Sequence, residues 1–453
     1  MNGKFTLREL GKIINCQNLN QISNLQYLDI SGIQTDSRSL KPGQIFIALS
    51  GEKFDGHNFI NQALEKGSSA VIVSREIIDQ TNSSIPHLQV KDTLVAYQQI
   101  AHWWRNQFSI PVIGITGSVG KTTTKELIAA VLSTQGKVLK TEANYNNEIG
   151  VPKTLLGLAP NHNYAVIEMA MRGKGEIALL SQIARPTIGL ITNVGTAHIG
   201  RLGSREAIAE AKCELLGEMP NTSMAILNYD YPLLLSTAAQ VWQGETLTYG
   251  LEGGDIQGTF IAPDILQVEG INFPLPLPGR HNASNYLAAL AVAKVLGIDW
   301  NVLATGLSVT MPKGRSQRYE LPNDIIILDE TYNAGLESMV AALQLLKETP
   351  GKRHIAVLGT MKELGNQALQ LHQQVGETVK ELNLDALLVL VDDPDAQGIV
   401  VGAQGIPTES FNQREEIITR LEEIIQPGDR LLFKASNSVG LNQVVQQLLK
   451  NHL

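Results

Sequence analysis

A glycine-rich turn in the first third of the chain has the residue types and spacing most suited to chemistry. The stretch GITGSVGKTTTKE begins at Gly114, directly after the apolar run from Ile110 to Ile113. In such a turn successive backbone N–H groups converge on one anion, and the N-terminus of a following helix adds unpaired donors and the positive end of its dipole. Lys121 can then reach terminal phosphates, and the hydroxyl of Thr122 can bind Mg²⁺. The turn therefore predicts a nucleotide-binding site.

The match to the strict phosphate-loop pattern is imperfect. That pattern has its first glycine five positions before the second, where this chain has Ile115, and the nearby glycines are Gly114 and Gly117. An apolar strand precedes the turn, however, and KELIAAVLSTQG predicts a helix that ends at Gly136. The competing interpretation is an ordinary strand-to-helix turn with a solvated lysine, and the context favours nucleotide binding. The predicted nucleotide contacts here are Gly117, Ser118, Val119, Gly120, Lys121, Thr122 and Thr123.

Polar residues also follow the later strands, and ligands of an open parallel sheet bind beyond the carboxyl ends of its strands. Glu168 ends the run YAVIE and can hold Mg²⁺, although a carboxylate at a strand end is also a common solvated loop residue. His198 follows the next strand, and a lone histidine is more often structural than a ligand. Lys212 is on a helix whose other face is apolar, so the pattern alone predicts a surface lysine.

Two charged residues in the last third of the chain predict a site shared between domains. Asp329 ends the run IIILD, and Arg315 follows a glycine shortly before it. Together with the glycine-rich turn they predict ATP clamped between two domains, an arrangement that excludes water and stabilises charge on a transferred phosphoryl group. The helix HNASNYLAALAVAKVLG opens with His281, Asn282 and Asn285. These amides either cap the helix or, for Asn285, hydrogen-bond adenine.

The elements that position these residues form three α/β blocks. In the first, GQIFIALSG predicts a strand, and NFINQALEKGSSAVIVS predicts a helix, a glycine stop and another strand. The runs IPVIGIT, YAVIEMA and TIGLITNVG predict parallel strands buried on both faces, because they are short and apolar without alternation. A second series of short apolar runs begins after MPKGR and consists of DIIILDE, HIAVLGT, DALLVLVDD and DRLLFKAS. We predict an α/β protein of three domains: a small α/β domain at 1–108, a central phosphate-loop ATPase-like domain with a parallel sheet at 109–311, and a Rossmann-like domain at 312–453.

Composition narrows the class of protein. The net charge of −8 over 453 residues argues against a nucleic-acid partner, because phosphate backbones are held by basic surfaces. Cys16 and Cys213 are too few for a disulfide framework and are typical of a reducing compartment. The start, MNGKFTLREL, lacks the apolar core of a signal peptide, and apolar runs are too short to span a bilayer. We expect a soluble cytoplasmic protein without membrane insertion.

Taken in order, several motifs resemble the Mur ligase family of ATP-dependent amide-bond-forming enzymes. They are TGSVGKTT, IEMA, NVGTAHIGRLGS with AKCE, LPGRHNASNYLAAL, and GRSQRYE with LDETYNA. Within the family, five more stretches are most similar to the ligases that add D-alanyl-D-alanine to UDP-MurNAc-tripeptide in peptidoglycan synthesis: TDSR, FIALSGEKFDGHNF, NYNNEIGVPKTLLGL, DETYNAGLESM and VLGTMKELG. The resemblance covers nearly the whole chain. It implies amide-bond formation through an acyl phosphate, with those two small-molecule substrates, by a monomer.

The resemblance also implies roles for individual residues. Thr122 and Glu168 would hold the Mg²⁺ ion that bridges the β- and γ-phosphates, and His198 would bind a second Mg²⁺. Lys212 matches a family lysine that carries a carbamate derived from CO₂. This implication revises the surface interpretation of Lys212, since a carbamate is an anion where a bare ammonium would repel the metal. The implied substrate contacts are Asn285 to adenine, Asp329 to ribose, Arg315 (or Arg318 in a shifted register) to the γ-phosphate, Asp36, Ser37 and Arg38 to UDP, and Asn146 and Asn147 to the sugar or phosphate.

The chain departs from the family pattern at four positions. Thr360 stands where an aspartate is usual, Ala435 and Asn437 replace a glycine and an arginine in KASNSVGL, and Ala170 replaces a glycine in IEMA. The C-terminal departures concern recognition of the dipeptide and leave the phosphate chemistry untouched.

Three alternatives remain at this stage. A folate-polyglutamate or cyanophycin-type ligase shares the ATP machinery, and TDSR in the first block argues against both. A non-catalytic nucleotide-binding paralogue is disfavoured because Lys121, Glu168, His198 and Lys212 are all retained. A phosphate-loop ATPase that couples hydrolysis to motion would turn over ATP without an amino acceptor.

Overall fold

The chain folds as three α/β blocks, each built around its own sheet. A computed structural model describes residues 6–21, 30–51, 54–76, 85–261 and 263–452. The three-block α/β prediction is confirmed, while the boundaries after 108 and 311 stay predictions. Residues 1–5 of the chain start and Glu52 and Lys53 of FIALSGEKFDGHNF lie outside the described residues.

The first block has a four-stranded parallel sheet with a short antiparallel pair beside it. The sheet strands, in spatial order, are Gly32–Gln34, Gln44–Ile47, Ala70–Val73 and His87–Gln89, and the pair is Ser50–Gly51 and Phe54–Asp55. The helices are Leu7–Ile13, Ile60–Glu65 and Thr93–Arg105, with 3-10 turns at Leu19–Gln21, Ser37–Ser39 and Gly56–Phe59. The predicted order of helix, glycine stop and strand around Gly67 is confirmed, because Gly67 has a φ of +83°.

The central block has a nine-stranded sheet. In spatial order its strands are Ile271–Pro274, Ile265–Val268, Ile256–Ile261, Glu245–Gly250, Met224–Asn228, Ile188–Ile191, Val112–Thr116, Tyr164–Glu168 and Val138–Lys140. Seven of these strands are parallel, as predicted, but Ile265–Val268 and Ile271–Pro274 run antiparallel at one edge. The predicted parallel sheet is therefore confirmed, and the two antiparallel edge strands were not predicted. Ile256–Ile261 alternates buried and exposed side chains there, the pattern of a strand with one solvated face.

Helices cover both faces of the central sheet. They are Lys121–Ser133, Gly150–Leu155, Glu176–Ala184, Ile199–Leu202, Arg205–Gly217, Pro232–Val241, Arg280–Val295 and Trp300–Leu303. The helix after the glycine-rich turn begins at Lys121, and its N-cap, Gly120, has a φ of +80°. The strand before it, Val112–Thr116, is buried throughout, because both of its faces pack against helices.

The third block has a six-stranded sheet in the order Gln317–Leu321, Ile325–Asp329, Asp429–Lys434, Arg353–Gly359, Ala386–Leu390 and Thr408–Phe411. The first strand is antiparallel to the second, and the others are parallel. The helices are Leu336–Glu348, Ala368–Glu381, Gln397–Gly402, Arg414–Ile424 and Leu441–His452, with 3-10 turns at Pro322–Asp324, Gly365–Gln367, Pro394–Ala396 and Asn437–Val439. Across the described ranges, no helix combines the length and apolar character that crossing a bilayer requires.

Candidate active site

A cavity of about 370 Å³ lies between the central and third blocks. Residues 118–123 after the first central strand form one wall, together with Glu168 at the end of a neighbouring strand. The opposite wall comes from the third block and includes Arg315, Tyr332 and Lys434. Since each wall lies where parallel strands end, the cavity has the position expected for a ligand of such sheets.

The glycine loop, residues 117–120, is tied to the loop after the neighbouring strand. The backbone N–H of Val119 donates to Asn193 Oδ1 at 2.9 Å, and Gly195 N–H donates to Ser118 Oγ at 2.8 Å. Gly117 has a φ of +154°, and a Cβ there would overlap the hydroxyl oxygen of Thr192. The close approach therefore requires glycine at 117, which keeps the backbone open to a ligand.

Lys121 is folded back onto the glycine loop. Its ammonium donates to the carbonyl oxygens of Gly117 at 2.7 Å and Ser118 at 3.2 Å. Burial lowers the pKa of Lys121 to about 8, and the nearby Arg315 acts in the same direction against the opposing charge of Glu168. Two cations from different blocks thus converge where phosphates would bind.

Glu168 is a buried carboxylate surrounded by donors. It is 1 % exposed, and it accepts from Thr122 Oγ1 at 3.0 Å and from Asn146 Nδ2 at 2.8 Å. Hydroxyl, amide and carboxylate oxygens are the hard ligands that Mg²⁺ prefers. Asn146 thus joins the cavity, whereas the Asn147 side chain accepts at 2.9 Å from the backbone N–H of Gly150, the first residue of the helix Gly150–Leu155.

A second buried cation, Lys125, lies close to Glu168, and it was not identified from the sequence. The Lys125 ammonium lies 2.9 Å from Glu126 and 3.9 Å from Glu168, and it donates to the Thr141 carbonyl at 2.8 Å. Lys140 also pairs with Glu126. The available signal in the sequence was the charged pair Lys125 and Glu126. This pair directly follows the threonines of the glycine-rich motif, on a helix that packs in the core.

Lys212 is buried, so the pattern-based expectation of a surface lysine is wrong. It is 1 % exposed on the helix Arg205–Gly217, which packs against the helices on either side as well as the sheet. Burial lowers the pKa of Lys212 well below its usual value, and the charge of Lys121 lowers it further. The lysine therefore lies near the glycine loop, with its neutral amine favoured.

His198 contacts a residue of the third block. It lies at the N-cap of the short helix Ile199–Leu202 with a φ of +66°, and its Nδ1 is 2.6 Å from Glu363 Oε2. Burial lowers the pKa of His198, and Lys121 contributes next. His198 also lines the cavity. Sequence reasoning missed Glu363, because the contact spans 165 positions along the chain.

Glu337 makes a second contact between the blocks. Its carboxylate accepts from the Thr196 backbone N–H at 2.7 Å and from the Thr196 hydroxyl at 3.1 Å. A Cβ at Gly195 would lie 2.5 Å from the Glu337 carboxylate, so glycine is required for the approach. Glu337 is the second residue of the helix Leu336–Glu348, and it too lines the cavity.

The predicted nucleotide contacts in the third block lie in different settings. The Arg315 guanidinium stacks on the Tyr332 ring at 3.9 Å and lines the cavity. Arg318, the alternative, pairs at 3.1 Å with Glu320 of its own strand, Gln317–Leu321. Asp329 accepts from the Thr331 hydroxyl at 2.6 Å, and burial raises its pKa.

Of the two interpretations of Asn282 and Asn285, the one in which they cap their helix is wrong. The N-cap is Gly279, and Asn282 Nδ2 donates to the Pro278 carbonyl at 2.8 Å. Asn285 Oδ1 accepts from the Thr124 hydroxyl at 3.2 Å, and the residue lines the cavity beside Gly120. The amide of Asn285 is therefore placed next to the glycine loop.

The residues predicted to contact UDP lie in the first block. Asp36 and Arg38 pair at 2.7 Å, and the Arg38 hydrogen bonds lower the pKa of Asp36 to about 2. The Ser37 hydroxyl donates to Gln62 at 2.6 Å. The charge of Lys153, which lies over the Tyr145 ring at 3.9 Å, also reaches Asp36. This charged group thus faces the central block.

The positions that depart from the family pattern lie in different places, and one of them, Thr360, contacts another charged group. The Thr360 hydroxyl contacts Asp392, which lies 3.3 Å from Lys362. Ala435 is fully buried, and Asn437 begins the 3-10 turn Asn437–Val439. Ala170 lines the cavity.

Three descriptions of known protein families match successive parts of the chain. They are "Mur ligase family, catalytic domain" at residues 29–106, "Mur ligase middle domain" at 115–293, and "Mur ligase, glutamate ligase domain" at 314–437. The chain belongs to the Mur ligase family.

Individual relatives narrow the similarity within that family. The chain is 57 % identical to UDP-N-acetylmuramoyl-tripeptide–D-alanyl-D-alanine ligase of Synechocystis sp., over 99 % of this chain and 98 % of the relative. It is 37 % identical to the ligase of the same name from Escherichia coli, over 98 % of both. Among solved structures it is similar to MurF from Acinetobacter baumannii (TM-score 0.90, 32 % identity, 99 % of each chain). It is also similar to MurF ligase from Thermotoga maritima in complex with ADP (TM-score 0.83, 32 % identity, 93 % of this chain and 97 % of that one).

Proposed function

We propose that this protein is an ATP-dependent ligase that joins D-alanyl-D-alanine to UDP-MurNAc-tripeptide through an amide bond. The observation that carries the proposal is the cavity in which the glycine loop and Lys121 of one block meet Arg315 of another. Similarity over nearly the full length to ligases named for this reaction supports the choice of substrates. The three predicted domains would have different roles. Residues 1–108 would bind UDP, residues 109–311 would bind ATP, and residues 312–453 would form the lobe that closes over the ATP.

ATP would bind with its phosphates on the glycine loop. The backbone N–H groups of residues 120–123, at the start of the helix, supply donors for the phosphate oxygens, whereas those of Ser118 and Val119 donate to Asn193. Lys121 would exchange its bonds to loop carbonyls for bonds to phosphate. Arg315 would approach the γ-phosphate from the opposite wall, Asn285 would contact adenine, and Asp329 would contact ribose.

The residues present fit Mg²⁺. Within the described ranges, no group of three or more His, Cys, Asp and Glu side chains could hold a metal alone. Mg²⁺ commonly takes one or two protein oxygens and completes its shell with phosphates and water, which matches Glu168 and Thr122. His198 would hold a second ion. Bound Mg²⁺ would neutralise the developing phosphate charge.

Lys212 is suited to carry a carbamate. Its neutral amine would attack CO₂, form an N–C bond and release a proton, and the low pKa of the buried lysine favours that neutral amine. The product is an anion, and among the charges that act on the buried lysine the cation Lys121 has the largest effect, with Glu337 acting in the opposite direction. A carbamate at Lys212 would therefore attract Lys121 and help to hold the metal beside the phosphates.

The reaction would proceed in two steps. A carboxylate oxygen of the tripeptide attacks the γ-phosphorus of ATP, so that ADP leaves and an acyl phosphate forms. The amine of D-alanyl-D-alanine then attacks the acyl carbon, and phosphate leaves as the amide forms. Lys121 and Arg315 offset the repulsion between the two anions in the first step. The contacts of Glu337 and Glu363 with the central block keep the cavity closed, which protects the acyl phosphate from water.

The remaining substrate contacts, apart from Asn146, would lie outside the ATP cavity. Asp36, Ser37 and Arg38 would bind the UDP moiety from the first block, and Asn146 and Asn147 would lie toward the sugar or its phosphate. The net negative charge and the two cysteines suit an enzyme that works on free nucleotide-linked precursors in a reducing compartment. We propose that it acts as a cytoplasmic monomer.

One assay tests the proposal. ADP release is measured with UDP-MurNAc-tripeptide, with and without D-alanyl-D-alanine, and the product is identified by mass spectrometry. Sustained ADP release that requires both substrates, with a product equal to their sum less one water, is the expected result. Equal ATP turnover without the dipeptide would indicate a motor-type ATPase, and a product with a different amine would change the substrate.

A further inference from the structure

A loop of the third block docks onto the turn that carries His198. The backbone N–H of Gly200 donates to the Glu363 carbonyl oxygen at 3.2 Å. A Cβ at Gly365 would lie 2.7 Å from the Gly200 Cα, and a Cβ at Gly200 would lie 2.8 Å from the Glu363 carbonyl oxygen. Glycine is therefore needed on both sides, and the two backbones are in direct contact.

The two residues whose side chains meet across this contact both have left-handed backbones. His198 has a φ of +66° and Glu363 a φ of +65°. For a residue other than glycine this conformation costs on the order of 1–2 kcal/mol. Such conformations persist where surrounding structure imposes them, and they concentrate at functional sites. Here the conformations bring the carboxylate within 2.6 Å of His198 Nδ1.

We propose that Glu363 is a positioning residue for His198, supplied by the third block. In a neutral imidazole one nitrogen carries the proton and the other has a free lone pair. A carboxylate beside Nδ1 holds the proton there, so that Nε2 is left with its lone pair for a metal ion. Residues that orient a metal-binding histidine in this way commonly change metal affinity 10–100-fold when removed. This inference rests on the proposed function, because it assumes that His198 binds the second Mg²⁺.

The geometry also couples the metal site to closure of the two blocks. Glu363 belongs to the third block, whereas His198 and the glycine loop belong to the central block. If the third block moves away, His198 loses the carboxylate that selects its tautomer. Arg201 contacts the other carboxylate oxygen at 3.1 Å and holds it from the central side. The second ion would therefore bind well only after closure.

The tautomer can be measured without metal or activity. Protein labelled with ¹⁵N at histidine is examined by NMR, with the His198 signals assigned by their loss in His198→Gln. The wild type is expected to show a protonated Nδ1 and an unprotonated Nε2. Glu363→Ala is expected to shift the population toward the Nε2-protonated form, and Glu363→Gln, which keeps an acceptor, is expected to stay near the wild type. An unchanged tautomer in Glu363→Ala would overturn the proposal.

Metal binding is the second readout. Mn²⁺ binding is followed by electron paramagnetic resonance with the β,γ-imido analogue of ATP, which keeps the phosphates intact. Glu363→Ala is expected to weaken the second Mn²⁺ ion about 10–100-fold and to leave the first unchanged. Arg201→Ala, which removes only the other partner of the Glu363 carboxylate, is expected to weaken binding of the second Mn²⁺ ion less. Equal binding of both ions by Glu363→Ala and the wild type would contradict the inference.

A methyl group added at Gly200 tests whether the docking of the two loops is needed for metal binding when both side chains are kept. Gly200→Ala leaves His198 and Glu363 intact but prevents their loops from docking, so the second ion is expected to weaken as in Glu363→Ala. Gly217→Ala is the matched control, because a Cβ there meets nothing within 4 Å. Full second-ion binding in Gly200→Ala would show that docking is not required. Wild-type protein without dipeptide-dependent ADP release would instead refute the proposed function.

Discussion

A methyl group at position 117 tests whether the glycine loop holds phosphate through its bare backbone. In Gly117→Ala, the Cβ overlaps the Thr192 hydroxyl oxygen and lies 3.1 Å from Thr192 Cβ and 3.2 Å from its backbone N. The Thr192 hydroxyl also donates to the Val119 carbonyl at 2.7 Å, so turning it away costs a hydrogen bond within the loop.

Two terms set the size of the effect. The φ of +154° at Gly117 lies in a region that costs other residues about 1–3 kcal/mol. Overpacking against Thr192 adds about 1–3 kcal/mol. The combined cost of at least about 2 kcal/mol corresponds to a loss in ADP affinity of about 30-fold or more, if the loop relaxes to an open form that must be restored on binding.

Calorimetric titration with ADP and Mg²⁺ measures this loss, with Gly217→Ala as the control for a methyl group added without a clash. Thr192→Ala in the same chain as Gly117→Ala removes the overlapping oxygen but not the backbone cost. The Gly117→Ala substitution should therefore cost about tenfold less ADP affinity in the Thr192→Ala background than in the wild type, because the overpacking cost is removed. Wild-type ADP affinity in Gly117→Ala would refute the account of the loop, and no recovery in the double variant would refute the assigned cause.

Three further predictions concern buried ionisable groups. Lys212→Ala should nearly abolish turnover, and short carboxylates added to the assay should partly restore it by replacing the carbamate; unchanged activity would remove the carbamate from the mechanism. Burial and the charge of Lys434 lower the pKa of His281 from 6.5 to about 4. Between these two pH values the unfolded chain binds a proton that the folded chain does not bind. The free energy of unfolding therefore falls as the pH drops from 6.5 to about 4. His281→Gln should lessen that fall by up to about 3 kcal/mol, since the two pKa values differ by about 2.5 units. The fall is measured as Tm against pH, and an identical profile would contradict the assignment. Lys125→Met leaves Glu126 without its buried partner and should lower the free energy of unfolding by about 3–5 kcal/mol in urea titrations. Lys140→Met, at a partner with a side chain 42 % exposed, should cost under about 1 kcal/mol, and equal losses would refute the distinction.

The sequence predicts the frame of this fold because local pattern determines it. Apolar runs such as Val112–Thr116 and Ile325–Asp329 are buried on both faces, and continuous apolar residues have no other stable place in an α/β protein. The glycine loop is predictable for the same reason, since its glycines and the following helix are adjacent in the chain. The antiparallel edge at Ile265–Val268 was missed because its side chains alternate and its strands are short.

The contacts across the cavity depend on tertiary structure and could not be read from local pattern. Lys212 seemed exposed by helix periodicity, but its helix packs against neighbouring helices as well as the sheet, and the side chain is buried. Asn285 was an equally good helix cap by residue type, and only the position of Gly279 as N-cap excludes that role. Glu337 and Glu363 lie on the third block, and nothing near them in the sequence indicates that they contact residues more than a hundred positions earlier.

The path of one oxygen atom shows whether the tripeptide carboxylate attacks the γ-phosphorus. UDP-MurNAc-tripeptide labelled with ¹⁸O in the carboxylate that reacts is incubated with the protein, ATP, Mg²⁺ and D-alanyl-D-alanine, and the released inorganic phosphate is weighed by mass spectrometry. If that carboxylate attacks the γ-phosphorus, its oxygen bridges carbon and phosphorus and leaves with phosphate when the amine attacks. We predict one ¹⁸O in each phosphate released with ligated product. Phosphate without ¹⁸O would contradict the account, because its fourth oxygen would then come from water.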